Sequence, residues 1–566
     1  MDFKKLTSAA RGASPADLVI KNAKIPNLFS YEIEEGDVAV ADGVIVGIGE
    51  GYSGSLEIDA QGHYLVPGFI ESHCHIESTM LTPEGFAEMV LPHGTTTVFA
   101  DPHEIANTSS FEGLTAMRKA AENTPLDIFL NAPSCVPASD FETPCEKLEK
   151  ESVSRMFSDG LCRALGEMMN YPGVIYGDTA TWKKILASEG EAKNGHAPLL
   201  GGKDLCAYLL SRCNSDHECS NCGEAIEKLR RGCWVMLRQG AAEDNLGTLA
   251  PIIAEDERRA SRCMLVSDDL TVQVLKNEGH IDRLLRIAVA HGVSPISALR
   301  MVTLNPAEFN RLYDRGAIAP GYAADMVLVE DLESFKVLSV WKNGAAVSVP
   351  AAGYPRQKNW PGVSHNHCCL ELSDLAAPAH GKLRAIGYIP GEVITSHLVL
   401  DGVVKNGEFA ASATDDIAKM AVVNRNTPER RIAIGFVKGI GLKRGALASS
   451  VAHDAHNFSI LGMDDESMIT AFNAVREKGG LAVADGKEVL YHLPLPIAGL
   501  MSNEPGTVLF EKFKAAAAAA QQLGTPLKNA FMVMSFLSLS VIPALKLTDQ
   551  GYVDLSQGGL LPLNVQ

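Results

Sequence analysis

Positive charge is what this chain has least of for its size. Its 50 Lys and Arg are outnumbered by 68 Asp and Glu, a formal net charge of −18. Nucleic acids and anionic membranes both require clustered basic side chains, so neither is an expected partner. Uncharged apolar runs of the roughly 20 residues that a membrane-spanning helix needs are absent. The first twenty residues, MDFKKLTSAARGASPADLVI, lack the continuous apolar segment of an export signal. The twelve cysteines therefore read as reduced thiols of a cytoplasmic protein rather than as a disulfide framework. No Walker-type loop and no G-x-G-x-x-G opening a helix is present, so no nucleotide cofactor is indicated. Solenoid-type repeats are also missing.

What is present is ordinary globular material, 46% apolar and 21% charged over 566 residues, enough for two to four domains with a large core. Three textures follow one another. Short alternating runs with Gly and Asp turns (DLVIKNAKIP, GDVAVADGVIVGIGE, LEIDAQGHYLV) predict antiparallel strands, and the same texture returns in GAIAPGYAADMVLVEDLESFKVLSVWKNG. Between them, apolar strands ending in polar residues (HGTTTVFAD, PLDIFLNAPS, CRALGEMMN, CWVMLRQG, CMLVSDD) alternate with amphipathic helices such as HIDRLLRIAVAHG. One helix is marked by Thr82 as its N-cap and Pro83 at its first position. The pattern is α/β. It predicts a TIM-like (β/α)8 barrel over 67–315, a small composite β domain from its two flanks (1–66 with 316–375), and a C-terminal α/β domain over 380–566. The six-alanine run in that last region is helix-favouring scaffold.

Within HYLVPGFIESHCHIEST, the apolar HYLVPGFI reads as one buried strand. Side chains two residues apart on a strand share a face, about 6.6 Å apart. His73 and His75 therefore point one way and Cys74 the other. Two imidazoles on one buried face are costly unless something binds them, and a metal ion is the usual occupant. The other strand ends supply Asp101, His103 and Glu104 (ADPHEIAN), Glu167 (ALGEMMN), His196 (KNGHAP), His217 (NSDHE), and Asp268 and Asp269 (VSDDL). Nitrogen and oxygen donors of this kind suit Zn, Fe or Mn, which bring the pKa of bound water to near 7, as a hydrolase needs.

The order of these residues resembles the amidohydrolase superfamily, which places H-x-H on the first barrel strand, a carboxylate or carbamylated lysine on the fourth, histidines on the fifth and sixth, and aspartate on the eighth. Longer phrases are similar to the bacterial adenine deaminase family: PGFIESHCHIESTMLTPEGFAEMVLPHGTTTVFADPHEIAN, GEMMNYPGV, SDHE, SDDL, TLNPAEFNRLYDRGAIAPGYAADMVLVEDL and SVAHDAHN. The resemblance spans nearly the whole chain. It implies hydrolysis of adenine to hypoxanthine and ammonia, in purine salvage or adenine catabolism, by a metal-bridging hydroxide attacking C6. It further implies two divalent ions, Mn or Fe ahead of Zn. His73 and His75 would hold one ion, His196 and His217 the other, and Glu167 would bridge them. Asp268, preferred to Asp269, would be both ligand and proton carrier. His103, Glu104, Asp269 and His456 are expected as substrate contacts or supports. For His453 and His456 a plain domain contact is weighed slightly ahead of a role in the site.

Rival readings are definite. The same barrel could open a cyclic amide or deaminate another aminoheterocycle, or be a non-catalytic scaffold. Cys213, Cys219 and Cys222 could take His217 for a structural zinc. His75-Ile-Glu77 with Cys219-Ser-Asn-Cys222 imitates the zinc nucleobase deaminases, but the proline is missing and the setting is a barrel. A small purine substrate and a homo-oligomer, dimer or larger, complete the expectations.

Overall fold

The computed structural model describes residues 2–241, 244–364 and 369–566. Five N-terminal strands come first: β1 (Ala16–Asn27), β2 (Glu32–Ala41), β3 (Val44–Gly49), β4 (Gly54–Asp59) and β5 (Tyr64–Pro67). Eight parallel barrel positions follow: β6 (Phe69–His75), β7 (Thr95–Ala100), β8 (Asp127–Ala132), β9 (Ala164–Met168), β10 (Ala192–Gly195), β11 (Ser215–Asp216), β12 (Trp234–Arg238), and β13 (Cys263–Val266) extended by β14 (Asp268–Asp269). The ladders run β10-β9-β8-β7-β6-β14 and β11-β12-β13. Where the two ladders meet, the backbone N–H of Gly195 donates to Ser215 Oγ at 3.1 Å. A Cβ at Gly195 would lie 2.1 Å from the Ser215 carbonyl oxygen, so only glycine permits this approach.

The flanking sheet is built from both sides of the barrel, as its texture predicts. β15 (Met326–Val329), β16 (Val337–Lys342) and β17 (Ala345–Ala346) join the N-terminal strands in the order β17-β16-β15-β5-β1-β2-β3. It is mixed rather than antiparallel throughout, because β4 and β5 both lie parallel to β1. The expected single strand HYLVPGFI is two strands. β5 pairs with β15 in the flanking sheet, and β6 opens the barrel. Gly68 makes the break: its N–H donates to Asp325 O, and a Cβ there would stand 2.3 Å from Thr96 Oγ1. The helix Pro83–Val90 starts after Thr82 as read, though the Thr82 side chain makes no capping hydrogen bond.

The third unit centres on a nine-stranded sheet over 382–565. Alternate residues of its strands face opposite sides. Ala421, Ala448, Phe458 and Ile460 pack with Met468 and Phe472 of helix Asp465–Arg476, while Met420, Val422, Leu447 and Leu461 share a core with Leu509 and Phe513 of helix Gly506–Gln522. The alanine run lies in the latter helix. Leu370 and Leu375 join the first of these cores. These two residues, within the 316–375 segment expected of the composite β domain, thus pack with the third unit. This unit sits on the C-terminal end of the barrel: Thr143 and Glu142 of the barrel bond to Asp549, Ala455 and Ser540.

Candidate metal centre

The donors named from sequence converge. His73 and His75 leave β6 toward the barrel axis with ring centroids 5.0 Å apart, and His73 stacks on His217 at 4.1 Å. Asp268 Oδ1 lies 3.4 Å from His73 Nε2 and 3.0 Å from His75 Nε2. Glu167 stands between the two halves. Its Oε1 is 3.5 Å from His75 Nε2, and its Oε2 is 2.7 Å from His196 Nδ1 and 3.3 Å from His217 Nε2. All six side chains are buried. Cys74 points away into the apolar core, as the strand period requires.

Supports fix these side chains. The Asp101 carbonyl lies 3.0 Å from His75 Nδ1, which leaves Nε2 facing the centre. Asp101 Oδ2 accepts the Glu167 backbone N–H at 2.7 Å. Glu71, buried and raised to about 7 by that burial, bridges the backbone of His73 and Ser267. Asp268 adopts a left-handed φ of 55° within a paired register, opposite Cys74 of β6.

Electrostatics separate the groups. Burial pushes the Glu167 and Asp268 carboxyls up, but the opposing groups win and hold both well below the usual carboxylate range. For Glu167 these are His217, His196 and His73; for Asp268 they are His73, His75 and Arg238. The imidazole of His217 is pushed down by burial yet ends well above its ordinary value, through Glu167 and Glu218. A field that traps extra protons on imidazoles is one that also attracts a cation.

Two tests favour a metal. Both ring nitrogens of His73 and Nε2 of His196 are buried without a hydrogen-bond partner among the described residues. Ligand atoms of His73, His217 and Asp268, of His73, His75 and Glu167, and of Glu167, His196 and His217 fall within 4.8 Å of one another in each trio. These residues fit a divalent metal.

The second-tier candidates divide. His103 and Glu104 are not on a strand end; they form the first turn of helix His103–Ala121, which points them back at the site. His103 Nδ1 lies 3.3 Å from Asp101 and 3.8 Å from Glu167. Asp269 accepts a hydrogen bond from Ser78 Oγ. Burial and the Glu77 charge hold Glu104 well above the carboxylate range. His453 lines the pocket, 3.7 Å from Glu104 Oε1. His456 sits behind it, accepting the Ala452 backbone N–H on Nδ1. Two of the thiols have other partners: Cys219 donates to Asp216 and Cys222 to the Thr248 carbonyl.

Sequence reading missed several members. Arg238, at the end of β12, donates to Asp268 Oδ2 at 2.8 Å and to Glu218 Oε1 at 2.6 Å. Asp454 approaches His103 Nε2 at 3.8 Å from the third unit. That unit also supplies the apolar wall, Val393, Phe536, Leu539, Val541 and Ile542. Polar residues closing CWVMLRQG and SDHE were the available signals for Arg238 and Glu218. None marked the wall.

Barrel, flanking sheet and donor set together define an amidohydrolase, and the amidohydrolase family model matches residues 64–347. The model for the adenine deaminase C-terminal domain matches residues 392–558. Adenine deaminase of Desulfatibacillum aliphaticivorans is 43% identical over 98% of both chains. Adenine deaminase 2 of Carboxydothermus hydrogenoformans is 42% identical over 100% of both. The chain belongs to the adenine deaminase family of amidohydrolases.

Proposed function

We propose that the chain hydrolyses adenine to hypoxanthine and ammonia: the C6–N bond breaks, a C6–O bond forms, and water supplies the oxygen. The observation that carries this is the convergence of Asp268, Glu167 and four histidines at the C-terminal end of the barrel, beneath an apolar wall from the third unit. Two divalent ions held by His73, His75, Glu167, His196, His217 and Asp268, iron or manganese ahead of zinc, would supply the Lewis acidity that ionises water near neutral pH.

Asp268 is the proton carrier. Kept ionised by its histidine neighbours and Arg238, it accepts a proton from the attacking water and delivers it to the departing amine. Arg238 fixes the carboxylate by occupying Oδ2, leaving Oδ1 toward the histidines. Glu167 ties the two histidine pairs together. Val393, Phe536 and Ile542 offer a flat apolar face to the purine and keep bulk water out. His103, Glu104, Asp269 and His453 line the same pocket and would meet the ring nitrogens.

No helix among the described residues is long and apolar enough to cross a membrane. A cytoplasmic homo-oligomer serving purine salvage fits this reading. The test is metal-loaded protein assayed for hypoxanthine and ammonia together. Absence of both with iron, manganese and zinc each supplied overturns the reading, and turnover of cyclic amides without ammonia replaces it.

A further inference from the structure

A second cavity lies apart from the metal pocket. A cleft of about 780 Å³ opens at the opposite end of the barrel. Ala192, Asn214, Trp234 and Arg262, which line it, are each the first residue of β10 to β13 or the residue just before. The same four strands carry His196, His217, Arg238 and Asp268 at their other ends.

The cleft runs against the charge of the whole molecule. Lys193, Arg212, Arg231, Arg262 and Arg311 line it, in a chain of net charge −18. Glu189, Glu191 and Glu308 line it too. Glu308 faces Arg300 at 3.8 Å. Among the described residues, no carboxylate lies in ion-pair contact with any of the five cations. Arg311 donates to the Gly190 carbonyl, and the Arg262 guanidinium lies 4.6 Å from the Trp234 ring centroid. That ring packs edge-on against Phe309, which holds Arg262 on a rigid base. Lys193 is buried on β10, and burial together with the Arg311 and Arg212 charges pushes its pKa down. Five cations face three carboxylates here, and the Glu189 charge offsets only part of the shift at Lys193; the excess positive charge repels itself, and an anion set among the cations relieves that repulsion.

We infer that this cleft binds a small polyphosphate anion, free or carried on a nucleoside, at the end of the barrel remote from the metal centre. Guanidinium groups match phosphate oxygens in paired hydrogen bonds, and several arranged around one cleft suit consecutive phosphoryl groups better than a single charge. The volume falls in the range of small-molecule sites.

The experiment is calorimetric titration of the metal-loaded full chain with magnesium-saturated ATP, pyrophosphate and adenosine, at about 0.1 M salt so that diffuse charge attraction is screened. ATP or pyrophosphate should bind, adenosine should not, and excess hypoxanthine should leave the affinity unchanged. Arg231→Glu/Arg262→Glu should weaken binding by about thirtyfold or more, and the double lysine variant, which keeps the charge but not the paired hydrogen bonds, should lose less. Both side chains are exposed, so deaminase turnover and melting temperature report whether the variants remain folded. ATP binding without pyrophosphate assigns the ligand to a nucleotide; pyrophosphate binding as tight as ATP assigns it to the phosphate chain. The inference falls if neither anion binds, if the glutamate variant binds equally well, or if hypoxanthine displaces the anion. It also falls if that variant only breaks an oligomer in sedimentation without any anion binding, because the cleft is then an interface between copies.

Discussion

The two ends of β10 to β13 solve opposite electrostatic problems. At the C-terminal end, imidazoles and carboxylates lie within 2.7 to 3.8 Å of one another and almost no side chain is exposed. At the N-terminal end, cations line an open cleft, and among the described residues no carboxylate closes on them. The difference lies in cover. The third unit lays Phe536 and Ile542 over one end and leaves the other bare. In a dry pocket each charge must be matched by a fixed neighbour, whereas at a wet rim solvent tolerates the mismatch.

The largest effect should come from the covered end. Asp268→Asn keeps the size but removes the base, and should lower kcat by about 10²- to 10⁴-fold. Metal content measured on the same sample separates loss of the base from loss of an ion. Anion binding at the open cleft should not change; if it does, the two ends are not independent.

Arg238→Met follows. It leaves Asp268 and Glu218 buried without their shared cation, a change that costs about 3–5 kcal/mol when one partner of a buried pair is lost. Arg238 helps to hold Asp268 below its ordinary value, so removing it raises that pKa. The acid limb of the kcat/KM profile should therefore shift upward, by about one pH unit. An unmoved limb would mean that the histidines alone set the base.

Phe536→Ala sharpens the point about cover. Phe536 stacks on His453 with centroids 4.9 Å apart. Opening this wall should raise KM for adenine by about tenfold, the value of a lost aromatic contact near 1.4 kcal/mol, and reduce kcat less. A fall in kcat alone would place Phe536 in chemistry rather than in binding.

How much of this was readable in advance follows the same divide. Strand periodicity placed His73 and His75 on one face because two-residue spacing is local. Strand-end polarity found Glu167, His196, His217 and Asp268, since a barrel brings such ends together whatever lies between. His103 and Glu104 were put on a strand end because ADPHE continues a strand pattern, yet Pro102 starts a helix there. Arg238, Asp454 and the apolar wall depend on how the third unit docks, and no single segment encodes that. The Gly68 break was hidden because two strands of different sheets abut in one apolar run.

The smallest prediction concerns a lysine that breaks the rule of the covered end. Lys546 is buried, donates among the described residues only to the Val393 and Phe536 carbonyls, and is pushed down to about 7 by burial. Both carbonyls belong to residues of the pocket wall, so this ammonium holds the cover in place. The folded pKa lies below the unfolded value of about 10.4, so the unfolded chain binds more protons between those limits. The penalty is therefore complete below pH 7 and is relieved as pH rises toward 10. Relative to Lys546→Met, which has no such titration, the parent chain should gain melting temperature between pH 6.5 and pH 9.5, by about 2–3 °C for a change of a few kcal/mol in a chain of this length. Lys193, buried less deeply at the edge of the open cleft, should show a much weaker trend in Lys193→Met. Equal slopes for the two lysines would show that cover is not what separates the ends.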